Sequence, residues 1–242
     1  MPRLDVLLAR NLGCSRTAAA TLIRAGRVRD ADGAILDDRR AEMPAAALPA
    51  NVILDDQRRL ALHDAFHALL NKPLGVVTAL RDDRHPTAFA LLRDAPLAGE
   101  LRAVGRLDLD TSGLLLWTTD GQWVQRLTHP KRQIPRTYQA ALARPFRAPP
   151  ADLTLEDGHR PTIRALDTIE AAGVHPSLAV PPDTATLAQI TVVGGAYHEV
   201  RRIFAALGSH VLGLCRTAFG RLALPHGLAP GAYRAVDLAD VV

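Results

Sequence analysis

Cysteine and lysine are both scarce in this 242-residue chain. Cys14 and Cys215 are its two cysteines, too few and too far apart in sequence for a disulfide framework or a thiolate metal site. Both are expected to pack as small apolar side chains. Lys72 and Lys131 are the only lysines, so arginine carries nearly all of the positive charge. Genome composition is a sufficient cause of that bias, yet the planar guanidinium also suits phosphate and stacks on bases. No apolar run approaches the roughly 18 residues that a membrane-spanning helix needs. The opening Met1-Pro2-Arg3-Leu4-Asp5 places an acid where a signal peptide would be apolar, so the cytoplasm is the expected compartment.

The length accommodates one or two domains with a real core. Hydrophobic residues make up 48% and charged residues 22%, the balance of a globular protein. The formal net charge is +4 and the pI near 9.6, which favours an anionic partner.

The first segment runs to about residue 59. Leu4, Leu7, Leu8 and Leu12 have the spacing of an amphipathic helix, which Gly13 ends. Ser15 is placed to cap a second helix running through Ile23, and Gly26 stops it. Asp32-Gly33 then predicts a tight hairpin, with Ile35 and Leu36 returning from it. Charge is divided along this segment. Residues 1–29 carry six arginines against one aspartate, whereas residues 30–56 carry two arginines against seven acids. The helices thus carry a positive field suited to nucleic acid, and a plain solvated helix pair or a DNA-binding helix-turn-helix remain alternatives. Residues 44–64 show no clean period, and a linker is expected around residues 57–64.

The most telling stretch is Gly105-Arg106-Leu107-Asp108-Leu109-Asp110-Thr111-Ser112-Gly113-Leu114-Leu115-Leu116. Leu114 to Trp117 read as a buried strand, and Gly113 lets the backbone bend or approach another group closely. Asp108 is therefore tethered to a core element while lying outside it. A carboxylate so fixed is a candidate nucleophile, the alternative being a turn aspartate that caps its own loop. The run as a whole resembles the signature of the pseudouridine synthases, specifically the branch that modifies ribosomal RNA. That resemblance implies that Asp108 is the catalytic aspartate. Arg106 is then placed to fill the space left by a flipped base, or to hold that base's phosphate.

Further motifs agree with the resemblance. His67 to Thr78 contains two apolar strand candidates around a Lys72-Pro73-Leu74-Gly75 turn, which makes Lys72 an exposed turn cation or a phosphate contact. Beyond Trp117, Trp123, Val124 and Leu127 suit one face of a short helix that His129-Pro130 ends. Arg136-Thr137-Tyr138 is similar to the family motif whose tyrosine lies against the target base, and a core strand tyrosine is the alternative. In Gly194-Gly195-Ala196-Tyr197-His198-Glu199-Val200-Arg201-Arg202, the residues Val200, Ile203, Phe204 and Leu207 form one apolar helical face. Arg201 flanks that face, and Arg202 opposes it, toward solvent or RNA. The family resemblance implies that Arg201 pairs with the catalytic aspartate, Asp108. Gly194 stands where the family has glutamate and Glu199 where it has glutamine, which puts loop contacts to RNA in doubt. Residues 144–183 carry no recognisable chemistry.

The pattern from Arg3 through Asp32-Gly33 resembles the S4 RNA-binding domain, which implies RNA contacts by Arg16, Arg24 and Arg27. The expected fold is α+β: an S4-like domain at residues 1–59 and a catalytic domain at residues 60–242, built on a mixed, mainly antiparallel sheet with flanking helices. The implied activity is isomerisation of one uridine of 16S ribosomal RNA, free or in an assembling small subunit. The aspartate would add to the uracil ring or to the sugar carbon. Such an isomerisation requires no cofactor and no metal, and a monomer is the simplest expectation. A 23S ribosomal RNA target, or a non-catalytic ribosome-assembly factor with the same fold, are the competing readings.

Overall fold

A computed structural model describes residues 1–55 and 57–242. Asp56, counted above among the acids, lies outside the described residues. The chain divides into two compact units: residues 1–66 with 94–101, and residues 67–93 with 102–242. Among the described residues, no helix is long and apolar enough to cross a membrane.

In the first unit, α1 (Leu4–Leu12) buries Leu4, Leu7 and Leu8 as its spacing requires. Gly13 closes the helix in the left-handed conformation at φ 65°. The Ser15 side chain accepts a hydrogen bond from the Ala18 N–H and opens α2 (Arg16–Arg24). Asp5 is buried between two cations, with Arg3 Nη2 at 2.9 Å and Arg16 Nη2 at 3.3 Å from its Oδ2. Burial alone would raise its pKa, but the hydrogen bonds and charges of Arg16 and Arg3 prevail and lower it.

The remainder of this unit departs from the sequence expectation. The Asp32-Gly33 turn forms, but its return is the single bridge between Arg29 and Ile35. The sheet is instead β1 (Val28–Asp30), β2 (Ala50–Leu54) and β3 (Arg58–Leu62), antiparallel in that order. A strand thus occupies the segment expected to be a linker. Its alternation is masked because Arg58 and Arg59 are exposed while Leu62 alone is fully buried. Val52, Leu54 and Leu62 close the core formed by the two helices. Arg10 joins the segment 94–101 to this unit through Glu100 at 2.8 Å and Asp64 at 2.7 Å.

The second unit is a nine-stranded sheet. Its strands are β4 (His67–Lys72), β5 (Arg102–Val104), β6 (Thr111–Thr118), β7 (Pro135–Leu142), β8 (Thr162–Thr168), β9 (Thr186–Val193), β10 (Val211–Phe219), β11 (Leu222–Ala223) and β12 (Tyr233–Ala235). The main path runs β12-β4-β6-β10-β7-β9-β8, with β5 on β6 and β11 on β10. Of these pairings, β6 with β10 is parallel and the rest are antiparallel. The mixed, mainly antiparallel sheet expected from the sequence is therefore present. β6 is buried along its whole length, as its continuous apolar run requires.

A helix covers each face. On one side α3 (Gly121–Thr128), capped by Asp120, contributes Leu127, Trp123 and Val124 to a core with Leu114 and Leu116. On the other, α4 (Glu199–Ala206) packs Val200, Ile203 and Phe204 against Ala140, Ile190 and Leu214. The second strand expected after the Lys72 turn is absent, and Val77 makes only one bridge, to Thr87. The stretch 144–183, which carries no recognisable chemistry, contributes β8 at the end of the sheet path.

Gly113 is required at the parallel junction. A Cβ there would lie 2.4 Å from Arg216 O and 2.8 Å from Arg216 N, and its φ is +104°. Gly113→Ala should cost about 3 kcal/mol in urea denaturation, through overpacking and backbone strain together. Gly121→Ala, where an added Cβ meets nothing within 4 Å, should stay within about 0.5 kcal/mol of the wild type.

Candidate active site

Asp108 lies in the loop that delivers the chain into β6. Three hydrogen bonds tie that loop to the segment 75–78. The Leu107 N–H donates to Thr78 Oγ1 at 3.1 Å, and the Thr78 hydroxyl donates back to Leu107 O at 2.8 Å. The Gly75 N–H donates to Leu109 O at 2.9 Å. The Lys-Pro-Leu-Gly turn and Thr78 therefore brace the backbone on both sides of Asp108. Its carboxylate is left 38% exposed, fixed at the root and open to a ligand.

The side chain that meets the Asp108 carboxylate is His198, whose Nε2 stands 3.6 Å from Oδ1. His198 is the residue before α4 and adopts a left-handed conformation, φ 48° and ψ 32°. Histidine enters that region more readily than most non-glycine residues. Tyr197 stacks on it, with ring centroids 3.8 Å apart and planes at 16°.

Arg201 does not pair with Asp108. Its Nη2 binds Asp110 Oδ2 at 2.9 Å and Asp110 O at 3.0 Å, while Nη1 donates to Val211 O at 3.1 Å. The helical phase does direct Arg201 toward the loop, but Asp108 and Asp110 are two residues apart and sequence spacing cannot choose between them. Arg201 thereby ties α4, the start of β10 and the aspartate loop together.

Beneath the loop, register aligns a row of side chains across the sheet: Lys72 opposite Gly113, Gly113 opposite Arg216, and Arg216 opposite Tyr138. Register partners share a face, and Leu214 two residues before Arg216 packs under α4, so this is the α4 side. Tyr138 is half-buried there, at the edge of the core that α4 completes. Arg216 is fully buried, donating from Nε to Leu114 O at 2.7 Å and leaving Nη2 without a partner among the described residues. Arg136 and Arg216 both lie over the Phe219 ring, at 4.9 and 5.3 Å. Burial, with the charge of Arg216 added, lowers the pKa of Arg136. Arg136 opens the Arg-Thr-Tyr motif, which assigns it no role of its own, and no motif marks Arg216, which only strand pairing brings to the site.

Lys72 corrects the expectation of an exposed turn cation. Its side chain is buried at the end of β4, and Nζ donates to Pro73 O at 3.0 Å and Val76 O at 2.6 Å. There Nζ is engaged by backbone carbonyls and turned away from solvent. It braces the turn whose Gly75 N–H holds Leu109. Burial brings its pKa down to about 8, against the opposing pull of Asp108 and Asp110.

The other expected RNA contacts separate into free and engaged groups. Arg106 is exposed and has no side-chain partner among the described residues. Arg202 is engaged: it pairs with Asp157 and donates to Tyr197 O at 3.2 Å. In the first unit Arg16 and Arg24 are exposed on α2, Arg16 reaching Asp5 and Arg24 bonding Ala20 O. Arg27 is held in a two-point pair with Asp55, at 2.5 and 2.8 Å.

The two departures from the family motif prove to be neighbours. A Cβ on residue 194 would lie 2.9 Å from Glu199 Oε1. Glu199 is buried and meets His159 Nε2 at 2.7 Å. Glycine at 194 thus leaves the volume that the Glu199 carboxylate occupies. Among the described residues no cluster of three or more histidine, cysteine or acidic side chains has the geometry to hold a metal.

The Lys72 geometry has a measurable consequence. An unfolded lysine titrates near 10.5, so between about pH 8 and 10.5 the unfolded chain binds more protons than the folded one. Stability from this group must therefore rise with pH across that window, by up to about 3 kcal/mol. The buried Cys215 thiol, raised from 9.0 to about 11, acts in the opposite sense over an overlapping range. Comparison with Lys72→Met cancels the thiol. In urea denaturation the wild type should gain on the variant from pH 8 upward, and parallel stability curves would show that no charged lysine is buried here.

Comparison with known proteins bears directly on this site. The profile of the RNA pseudouridylate synthase family matches residues 67–206, which run from β4 to the end of α4. The chain is 37% identical to the ribosomal small subunit pseudouridine synthase A of Escherichia coli (strain K12), covering 99% of this chain and 100% of that one. It is 36% identical to the protein of the same name from Vibrio cholerae serotype O1, over 99% and 97% of the two chains. A crystal structure of a pseudouridylate synthase matches with a TM-score of 0.59 at 32% identity, covering 100% of this chain and 98% of that one. With the braced aspartate, the strand tyrosine and the arginine helix lying inside the matched region, the chain belongs to the RNA pseudouridylate synthase family.

Proposed function

We propose that this protein isomerises a uridine of 16S ribosomal RNA to pseudouridine, with Asp108 as the nucleophile. The observation that carries the substrate is the end-to-end similarity to small-subunit enzymes. The reaction breaks the bond from ribose C1′ to uracil N1 and forms one from C1′ to C5. The proton on C5 is lost to solvent and N1 regains one, so atoms balance with no oxidant or reductant.

The geometry supports a division of labour. Asp108, exposed on a braced loop, meets the extruded nucleotide. Tyr138, at the end of the buried cation row, offers its ring to the base and its hydroxyl for a hydrogen bond. Arg201 acts through Asp110 and Val211, as a positioning residue for the loop. Arg106, free and exposed two residues before Asp108, occupies the gap that the flipped base leaves. The first unit is an S4-like RNA-binding module that grips the substrate through Arg16, Arg24 and Arg27. Phosphate contacts of that kind supply sequence-independent affinity.

Tritium release from uracil-C5-labelled 16S and 23S transcripts, with and without bound ribosomal proteins, tests the reading. Release from 16S RNA is expected, abolished in Asp108→Asn while RNA affinity stays within about tenfold. Release from 23S RNA alone moves the target, and binding without release from either identifies an assembly factor. Arg106→Ala should slow turnover on a structured target more than on an unpaired loop, and equal losses would remove Arg106 from base flipping.

A further inference from the structure

Among the described residues Tyr197 is the most exposed large hydrophobic side chain, at 77%, and it lies next to His198, which meets the candidate nucleophile. An aromatic ring left that far in water buries little of its own surface, and packing gives no reason for its position. One face is nonetheless used: it lies parallel to the His198 imidazole, 3.8 Å away. His198 in turn touches Asp108, its Nε2 being 3.6 Å from Oδ1. Tyr197, His198 and the carboxylate are thus contiguous.

The pair stands on a rigid base. Arg202 donates to the Tyr197 carbonyl at 3.2 Å and is itself held by Asp157. The next residue, Glu199, is buried and bonded to His159 at 2.7 Å. The Glu199 N–H donates to Ala196 O, which closes the turn carrying the two rings. Little freedom is left in the backbone on which the pair is mounted, so a flat ligand landing on it finds a prepared surface.

We propose that the Tyr197–His198 ring pair is a stacking platform for a nucleobase that neighbours the target uridine. This inference rests on the reading of the protein as an RNA-modifying enzyme. When one nucleotide is extruded from a strand, its neighbours lose a stacking partner, and an exposed aromatic face beside the reacting carboxylate replaces it. Every base presents a π-face, so the platform contributes affinity with little sequence preference of its own. The platform holds RNA equally before and during the chemical step, so it acts on binding and not on the rate at saturation.

The test uses the full chain, a 16S ribosomal RNA transcript and three proteins: wild type, Tyr197→Phe and Tyr197→Leu. Affinity is read by filter binding in an Asp108→Asn background, and kcat by tritium release in the parent background. Tyr197→Leu should weaken the Kd by about tenfold, the scale of one lost base stack, with kcat within about twofold. Tyr197→Phe keeps the ring and should bind as the wild type does. An unchanged Kd in Tyr197→Leu, or a loss confined to kcat, overturns the platform. If the wild type releases no tritium, the enzymatic reading fails, while the Kd comparison still decides the platform separately.

Discussion

Everything at the candidate active site depends on one close approach of backbones. Where β6 runs parallel to β10, Arg216 O lies 2.4 Å from the place a Cβ on residue 113 would occupy. Only glycine permits that contact, and it brings Lys72, Arg216 and Tyr138 into one row on the α4 side of the sheet. The loop bearing Asp108 enters β6 immediately beside the row. A wider separation would open the sheet at the parallel pairing of β6 with β10 and detach the aspartate from the groups around it.

That row is electrostatically unusual. Lys72, Arg216 and Arg136 sit close together, and the first two are fully buried. Burying a cation is costly unless its donors are satisfied. Carbonyl oxygens do this in part: Pro73 and Val76 for Lys72, and Leu114 for Arg216. The attraction of Asp108 and Asp110 for Lys72 supplies more. Lys72 thus lies within electrostatic reach of Asp108, the candidate nucleophile, while the guanidinium of Arg201 engages Asp110 and not Asp108. Arg201 contributes at one remove, by fixing Asp110 and leaving Asp108 open.

The entrance to α4 is the second organising element. Arg201 secures the aspartate loop, Arg202 the Tyr197 carbonyl and Asp157, and Glu199 the His159 side chain. Gly194 and Glu199, the two departures from the family motif, compensate each other in volume, so the helix entry is rebuilt with a buried carboxylate in place of a side chain at residue 194. His198 and Tyr197 are carried on this fixed turn toward the candidate nucleophile.

Local order was legible in the sequence wherever one short segment contains its own cause. The leucine spacing of α1, the Ser15 cap, the glycine stops, the buried run of β6 and the apolar face of α4 all follow from neighbours a few residues apart. The placing of Asp108 at the entry to β6 and of Tyr138 on a strand was legible through motifs in the same way. The strands β2 and β3 were not, because exposed arginines hide the alternation of β3 and the pairing of the two strands with each other is what stabilises them. The burial of Lys72, the choice of Asp110 over Asp108 by Arg201, and the arrival of Arg216 and His198 at the site were decided only by tertiary structure. Each depends on which strands become neighbours and in which register. That outcome belongs to the whole sheet, since a hydrogen-bonded pairing joins residues more than a hundred positions apart and leaves no local pattern in the chain.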